Sequence, residues 1–159
     1  MERRASVLSS KDQYMPITAQ SIAQLSRTEV DQLFRDGEVG QIPDGDAVGT
    51  AIFFPSNPIE PLIERLVQGL AWSGKVVSAR THELKNKISP LGIQAIAADV
   101  YTGRSWFDGS DCIVLDYSKR SLVAKLVRDE IRRVAPGLYL GLVYWGSTRL
   151  IYFTLQFTV

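Results

Sequence analysis

The amino-acid sequence predicts an α+β protein, mainly antiparallel β, in which a curled or closed β-barrel carries N-terminal helices and two crossover helices. Three observations lead to this fold class. The last segment, Leu150 to Val159, alternates strictly between apolar and polar positions, as in a strand with one core face. Several other β-prone runs are joined by hairpin-length connections. Helical patterns are confined mainly to the N-terminal part and to two segments between strands.

Two of the helical segments have clear sequence signals. The first lies within Thr18 to Asp36, where Ser26 and Glu29 have the spacing of a capping box and Gly37 follows as a stop. Two short helices or one broken helix fit this segment. The second runs from Asn57 to Leu70 and places its apolar residues on one side, as in a surface helix that covers an apolar layer.

The remaining chain predicts six or seven strands. These runs are rich in β-branched and aromatic residues and are bounded by Gly, Pro, Asn or Asp. They are Ala47–Phe54, Trp72–Arg80, Leu84–Ile88, Ile93–Tyr101, Cys112–Tyr117, Leu138–Trp145 and Leu150–Val159.

The length and composition favour one domain. A chain of 159 residues leaves little room for two cores, so we expect a flexible arm over residues 1–16 and a single barrel domain over residues 17–159. The formal net charge of +1 provides no field to hold nucleic acid. The N-terminus lacks the apolar run of a secretory signal, and Gly146–Arg149 interrupts the apolar C-terminal stretch. We therefore expect a cytoplasmic protein without a membrane span.

The chain has a single cysteine and a single histidine, which limits its chemistry. Cys112 has no partner for an intramolecular disulfide, and a zinc site would need carboxylates for nearly all of its ligands. Cys112 begins an apolar strand and is interpreted as a small core residue. His82 lies among polar residues and is interpreted as an exposed loop residue, with an axial haem ligand as the alternative. We expect no metal and no cofactor.

Over about residues 40 to 159 the layout resembles the calycin-like group of small β-barrels, which includes lipocalin and fatty-acid-binding types. The resemblance rests on the chain length, the meandering strands and the strand segments Trp72–Lys75 and Gly137–Gly141. It assigns no individual functional residue. It implies an apolar cavity inside the barrel that holds a small hydrophobic molecule, with loops or a helix closing the mouth.

A third helical pattern contains the first candidate catalytic residue. The segment from Ser121 to Pro136 predicts a helix, and Glu130 falls in the middle of its apolar half, with Arg128 on the opposite side. A carboxylate that faces a core must find a cation or hydrogen-bond donors, or it takes up a proton and becomes a general acid or base. Two interpretations stay open: a structural ion pair with Arg104 or Lys75, and a catalytic or ligand-contacting role.

The second candidate carboxylate is Asp116, at the end of the Cys112–Tyr117 run. Alternation places it on the side of Cys112 and Val114, a polar group among apolar neighbours. If that side faces the interior, Asp116 would orient the polar end of a ligand; otherwise it braces the following turn. Tyr117, Tyr139 and Arg128 complete the predicted set of groups that bind the polar atoms of a ligand.

Two large aromatic rings, Trp106 and Phe107, lie in the connection between two predicted strands. Large apolar rings in a loop are normally covered by the protein itself or by a partner. We interpret them as a plug that folds into the barrel mouth and contacts the ligand, with contact to a partner protein as the alternative.

These observations leave three functional hypotheses. The first is a carrier or sensor that binds a small hydrophobic molecule in the barrel. The second is a cofactor-independent enzyme of the isomerase or cyclase type, with Glu130 or Asp116 as the proton-transfer group. The third is an interaction module that uses Trp106, Phe107 and Trp145, or a homodimer formed through the edge of the last hairpin.

Overall fold

The computed structural model describes residues 16–54, 74–88, 93–122 and 124–158. The predicted N-terminal arm, apart from Pro16, and the predicted helix Asn57–Leu70 lie outside the described residues.

The described chain forms two short helices followed by a closed barrel of eight antiparallel strands. The helices are α1 (Ala19–Ile22) and α2 (Arg27–Asp36). The strands are β1 (Gly45–Ile52), β2 (Gly74–Ser78), β3 (Glu83–Ile88), β4 (Ile93–Arg104), β5 (Asp111–Asp116), β6 (Val127–Ala135), β7 (Leu138–Trp145) and β8 (Thr148–Phe157). Each strand pairs with the next along the chain, and β8 pairs with β1. The predicted barrel is confirmed.

Closure of the barrel pairs each described strand with a neighbour on both sides. Strand β8 pairs with both β7 and β1, so the last hairpin has no edge on which a second copy of the chain can add a strand. The predicted homodimer through that edge is therefore wrong.

The wall of the barrel separates two apolar cores. On β8, alternate residues such as Phe153 and Leu155 point inward, whereas Tyr152 points outward. The inner core contains side chains from every part of the barrel wall: Ala47, Val77, Leu84, Ala98, Val100, Ile113, Leu115, Ile131, Tyr139, Phe153, Leu155 and Phe157. The outer core lies between the barrel and the helices and contains Ile22, Val30, Phe34, Ile52, Leu138, Leu140, Leu142, Tyr144 and Tyr152.

Helix α2 covers the outer face of the barrel. It begins at the predicted capping box, in which the Ser26 hydroxyl accepts from the Glu29 backbone and the Glu29 carboxylate accepts from the Ser26 backbone. Its buried residues, Val30 and Phe34, lie in the outer core. The amphipathic pattern therefore orients the helix against the wall.

The segment between α2 and β1 closes one end of the barrel. Val39 and Ile42 pack against the inner core, and the Tyr139 hydroxyl donates to the Gln41 carbonyl over 3.1 Å. Backbone hydrogen bonds between Glu38 and Arg133 fix this segment to β6. We call this end, where β1 and β7 begin, the closed end.

The helix predicted from Ser121 to Pro136 is wrong, because most of this segment is strand β6. On β6, Asp129 and Ile131 face the interior while Glu130 and Arg132 face outward, and all four are buried. Burial on both faces removes the polar–apolar alternation that normally identifies a strand. Apolar and charged residues then fall at spacings that also fit a helix.

Candidate functional site

Glu130, the first predicted catalytic residue, lies on the outer face of β6 and anchors the β4–β5 connection. It is fully buried, and its carboxylate accepts from the Ser105 hydroxyl (2.5 Å) and the Trp106 backbone amide (2.8 Å). Its ion-pair partner is Arg128, at 3.0 Å, rather than the predicted Arg104 or Lys75. Both carboxylate oxygens thus bind protein donors, as expected of a structural buried charge.

Arg132, two residues along β6, forms a second anchor on the same face. Its fully buried guanidinium donates two hydrogen bonds of 2.7 Å to the carboxylate of Asp108 and one of 3.0 Å to the Phe34 carbonyl. Hydrogen bonding from Arg132 lowers the pKa of Asp108 below its ordinary value. Arg132 therefore joins the β4–β5 connection to the C-terminal end of α2.

Asp116, the second predicted catalytic residue, also lies outside the barrel. It shares the outward side of β5 with Cys112 and Val114, as the alternation predicts. Its carboxylate accepts from the Ser118 backbone amide (2.9 Å) and the Tyr101 hydroxyl (3.1 Å). Burial raises the pKa of Asp116, but the hydrogen bonds, chiefly from Ser118, outweigh this effect and lower it. These contacts fit the interpretation in which Asp116 braces the turn that follows β5.

Trp106 and Phe107 pack on the outer wall, so the predicted plug in the barrel mouth is wrong. The Trp106 ring lies edge to face with Tyr144, with centroids 5.3 Å apart, and the Arg128 guanidinium lies 4.3 Å from its centroid. Phe107 lies edge to face with Phe34 of α2. The hydrogen bonds to Glu130 and Arg132 pull the β4–β5 connection onto the wall, which carries both rings away from the interior.

His82 and Cys112 lie in different environments, the one exposed and the other buried. His82 is exposed in the β2–β3 turn, where its φ of 53° places it in the left-handed region. Cys112 is fully buried, and burial raises the pKa of its thiol to about 12. The described ranges contain no group of three or more His, Cys, Asp or Glu side chains placed to hold a metal ion.

The interior of the barrel contains a polar cluster of Lys75, Tyr117 and Asp129, which we call the inner polar cluster. Lys75 is the second residue of β2, Tyr117 directly follows β5, and Asp129 is the third residue of β6. In the closed strand order β2 and β6 lie four strands apart, so the cluster connects opposite sides of the barrel interior. The register places Lys75 beside Ala47, and Asp129 beside Leu115 and Val143, all on inward positions.

The three side chains form a connected set of hydrogen bonds. Lys75 Nζ lies 2.6 Å from the Tyr117 hydroxyl and 2.9 Å from Asp129 Oδ2. The Tyr117 hydroxyl donates to the same Oδ2 over 3.0 Å. The ammonium also lies 5.4 Å from the centroid of the Phe153 ring.

Burial makes this arrangement unusual. The exposed fractions of Lys75, Tyr117 and Asp129 are 4%, 1% and 2%. The second oxygen of Asp129, Oδ1, is buried and has no hydrogen-bond donor among the described residues. Leaving such an oxygen unpaired costs about 1–3 kcal/mol. A buried acceptor that has no protein donor is paired by a water molecule, an ion or a ligand group.

The structure thus sorts the predicted ligand-binding residues into two groups. Tyr117 and Tyr139 face the interior, the latter at the closed end and edge to face with Phe157. Arg128, Trp106 and Phe107 lie on the outer wall. Burial raises the pKa of Tyr139 above its ordinary value.

Sequence reasoning missed two members of the inner polar cluster. In the helical interpretation Asp129 falls beside Arg133 as an ordinary surface pair, and Lys75 enters only as a partner for Glu130. The signal that identifies Lys75 is its position two residues before Val77 in an apolar strand, on the same face. Recognising Asp129 requires the strand assignment of β6, where it shares a face with Ile131.

No protein-family model matches this sequence, and no curated protein matches it. The fold is similar to that in a crystal structure of a protein from Thermomonospora curvata, with a TM-score of 0.63 and 17% sequence identity. The similarity covers 88% of this chain and 93% of that protein. At this identity the likeness supports the fold alone. None of the helices in the described ranges has the length and apolarity needed to cross a bilayer.

Proposed function

We propose that the protein binds a small, mainly apolar molecule inside the barrel and that the inner polar cluster holds the polar end of this molecule. The observation that carries the proposal is the buried Lys75–Tyr117–Asp129 cluster, in which Asp129 Oδ1 accepts no hydrogen bond from the described residues. Natural proteins rarely retain a buried ion pair with an unused acceptor unless it has a role, because apolar residues in its place are commonly as stable.

The surroundings of the cluster support this proposal. The inner core around it consists of aliphatic and aromatic side chains, and Val39 and Ile42 pack against this core at the closed end. Ligand sites typically combine an apolar lining with a few placed polar groups. The proposal retains the predicted carrier or sensor but moves its polar contacts from Glu130 and Asp116 to the inner polar cluster.

A second candidate is a cofactor-independent enzyme of the isomerase or cyclase type. The observation that favours it is the position of the Tyr117 hydroxyl between the ammonium of Lys75 and the carboxylate of Asp129. A phenol held in this way is placed to give or take a proton at an oxygen of the substrate, while the ammonium stabilises developing negative charge. The carrier requires only binding, whereas the enzyme also requires that the molecule change.

The first experiment is native mass spectrometry of the purified protein, followed by extraction of any bound molecule and titration with the neutral apolar dye Nile red. We expect one molecule or one dye per chain. Ala98→Leu adds bulk to the interior and should weaken dye binding, whereas its neighbour Ala97, which points outward, provides the matched control Ala97→Leu. Circular dichroism checks that both variants fold. Absence of any bound molecule and of dye binding by the wild-type protein would refute the proposal.

Turnover separates the two candidates. If the extracted molecule is converted by the protein, Tyr117→Phe should abolish conversion and keep binding, while Tyr101→Phe on the outer wall should preserve both. An unchanged molecule after prolonged incubation identifies the protein as a carrier or sensor.

A further inference from the structure

We infer that the bound molecule is uncharged and that its polar end carries a hydroxyl or N–H donor, which excludes fatty acids and amines as the preferred ligands. This inference rests on the proposed function and names the class of ligand for the same site. It follows from the hydrogen-bonding capacity and the charge of the inner polar cluster.

The hydrogen-bonding capacity of Asp129 requires a donor. Its Oδ2 accepts from both Lys75 and Tyr117, and its Oδ1 has no partner among the described residues. An ionised carboxylate oxygen only accepts hydrogen bonds. A ligand group that only accepts hydrogen bonds, such as an ether, gives Oδ1 no donor. A hydroxyl or an amide N–H donates a hydrogen bond to it.

The charge of the cluster requires a neutral ligand. Lys75 and Asp129 contribute one positive and one negative charge at 2.9 Å and so compensate each other. In the part of the barrel that the structure describes, the other buried polar side chains, Ser105, Glu130, Arg132 and Thr154, belong to the outer face.

Among the described residues Lys75 and Asp129 form a balanced pair, and a charged head group would add an uncompensated charge beside it. A ligand carboxylate would have to compete with Asp129 for the ammonium, and a ligand ammonium would lie close to Lys75. Either leaves a buried charge without compensation, which is far more costly than an additional neutral hydrogen bond.

The test is a competition series in which only the head group changes. Decanol, methyl decyl ether, decanoate and decylamine, and the same four head groups on a naphthylmethyl body, are titrated against Nile red bound to the wild-type protein at neutral pH. We expect the alcohol to displace the dye at concentrations at least about tenfold lower than the ether, the acid or the amine. The ether is neutral like the alcohol but has no hydrogen-bond donor, so it tests the donor. The acid and the amine are polar but charged, so they test the requirement for neutrality.

Asp129→Asn links the preference to the proposed atom. A side-chain amide presents N–H donors as well as a carbonyl, so the advantage of the alcohol over the ether should shrink to about threefold or less. Asp111→Asn, at a carboxylate that is 56% exposed on the outside of the barrel, should retain the full preference. Should Asp129→Asn fail to fold, the order of the four head groups on the wild-type protein decides the question.

The outcomes distinguish this inference from the proposed function. Dye binding with equal displacement by all four head groups, or with preference for the acid, the amine or the ether, overturns the inference and leaves the binding function intact. Failure of the wild-type protein to bind the dye or any member of the series overturns both.

Discussion

The substitution Glu130→Gln tests whether Glu130 is a structural anchor. An acid/base role for this residue requires that the variant keep near-native stability and lose activity. The structure predicts the opposite, because the carboxylate is fully buried and accepts from Ser105, Trp106 and Arg128. The glutamine amide keeps one acceptor oxygen but loses the charge that compensates Arg128.

These contacts set the size of the expected loss of stability. Breaking a fully buried ion pair by removing one partner costs about 3–5 kcal/mol. The Arg128 side chain is 14% exposed, so water recovers part of its solvation, and the remaining carbonyl of glutamine keeps one hydrogen bond. We therefore expect the free energy of unfolding to fall by about 2–4 kcal/mol and Tm by about 5–15 °C.

Urea unfolding followed by fluorescence and circular dichroism measures this change. Glu83→Gln is the matched control, because Glu83 pairs with Arg120 over 2.6 Å with both side chains more than a third exposed, and such pairs contribute less than about 1 kcal/mol. Equal destabilisation by the two substitutions would show that the anchor contributes no more than a surface pair. If Glu130→Gln keeps near-native stability and loses turnover, Glu130 acts as an acid or base and the anchor interpretation is refuted.

Three further predictions concern the two faces of the wall. Gly141→Ala places a methyl group in steric overlap with the ring of the buried Phe153, so we expect the free energy of unfolding, measured in urea, to fall by about 1–3 kcal/mol, with partial recovery when Phe153→Leu is added. Burial raises the pKa of the Cys112 thiol to about 12, so a thiol reagent at neutral pH should label the unfolded protein and spare the native one; rapid native labelling would contradict its position in the wall. Burial raises the pKa of Tyr144 and of Tyr152 from 10.0 to about 12. Their neutral forms therefore stabilise the fold below pH 10.0, and this stability is lost as the pH rises from there through about 12, which urea unfolding at stepped alkaline pH measures. Stability that stays constant over that range would contradict the burial of these two hydroxyls.

Elements whose signals are local can be predicted from the sequence. The strict alternation of Leu150–Val159 predicts β8, and the Ser26–Glu29 capping box predicts the start of α2. Hairpin-length connections between β-prone runs predict an antiparallel meander, and a meander of this length favours closure. These signals work because a hydrogen-bonded cap and a one-sided strand depend on residues only a few positions apart.

The tertiary structure alone decided the nature of β6 and the composition of the candidate site. Strand β6 is buried on both faces, by the inner core on one side and by α2 and the β4–β5 connection on the other, so no two-residue period marks it. Once the register is set, adjacent residues of this strand take separate roles: Glu130 outside and Asp129 inside.

Lys75, Tyr117 and Asp129 meet only because closure of the barrel makes β2 and β6 face each other across one interior. Lys75 is 42 residues from Tyr117 and 54 from Asp129 along the chain. No local pattern specifies such contacts, since they depend on strand order, register and the inward direction of three separate side chains. The sequence therefore determined the barrel and its local caps, and the closed register decided which polar groups lie inside it.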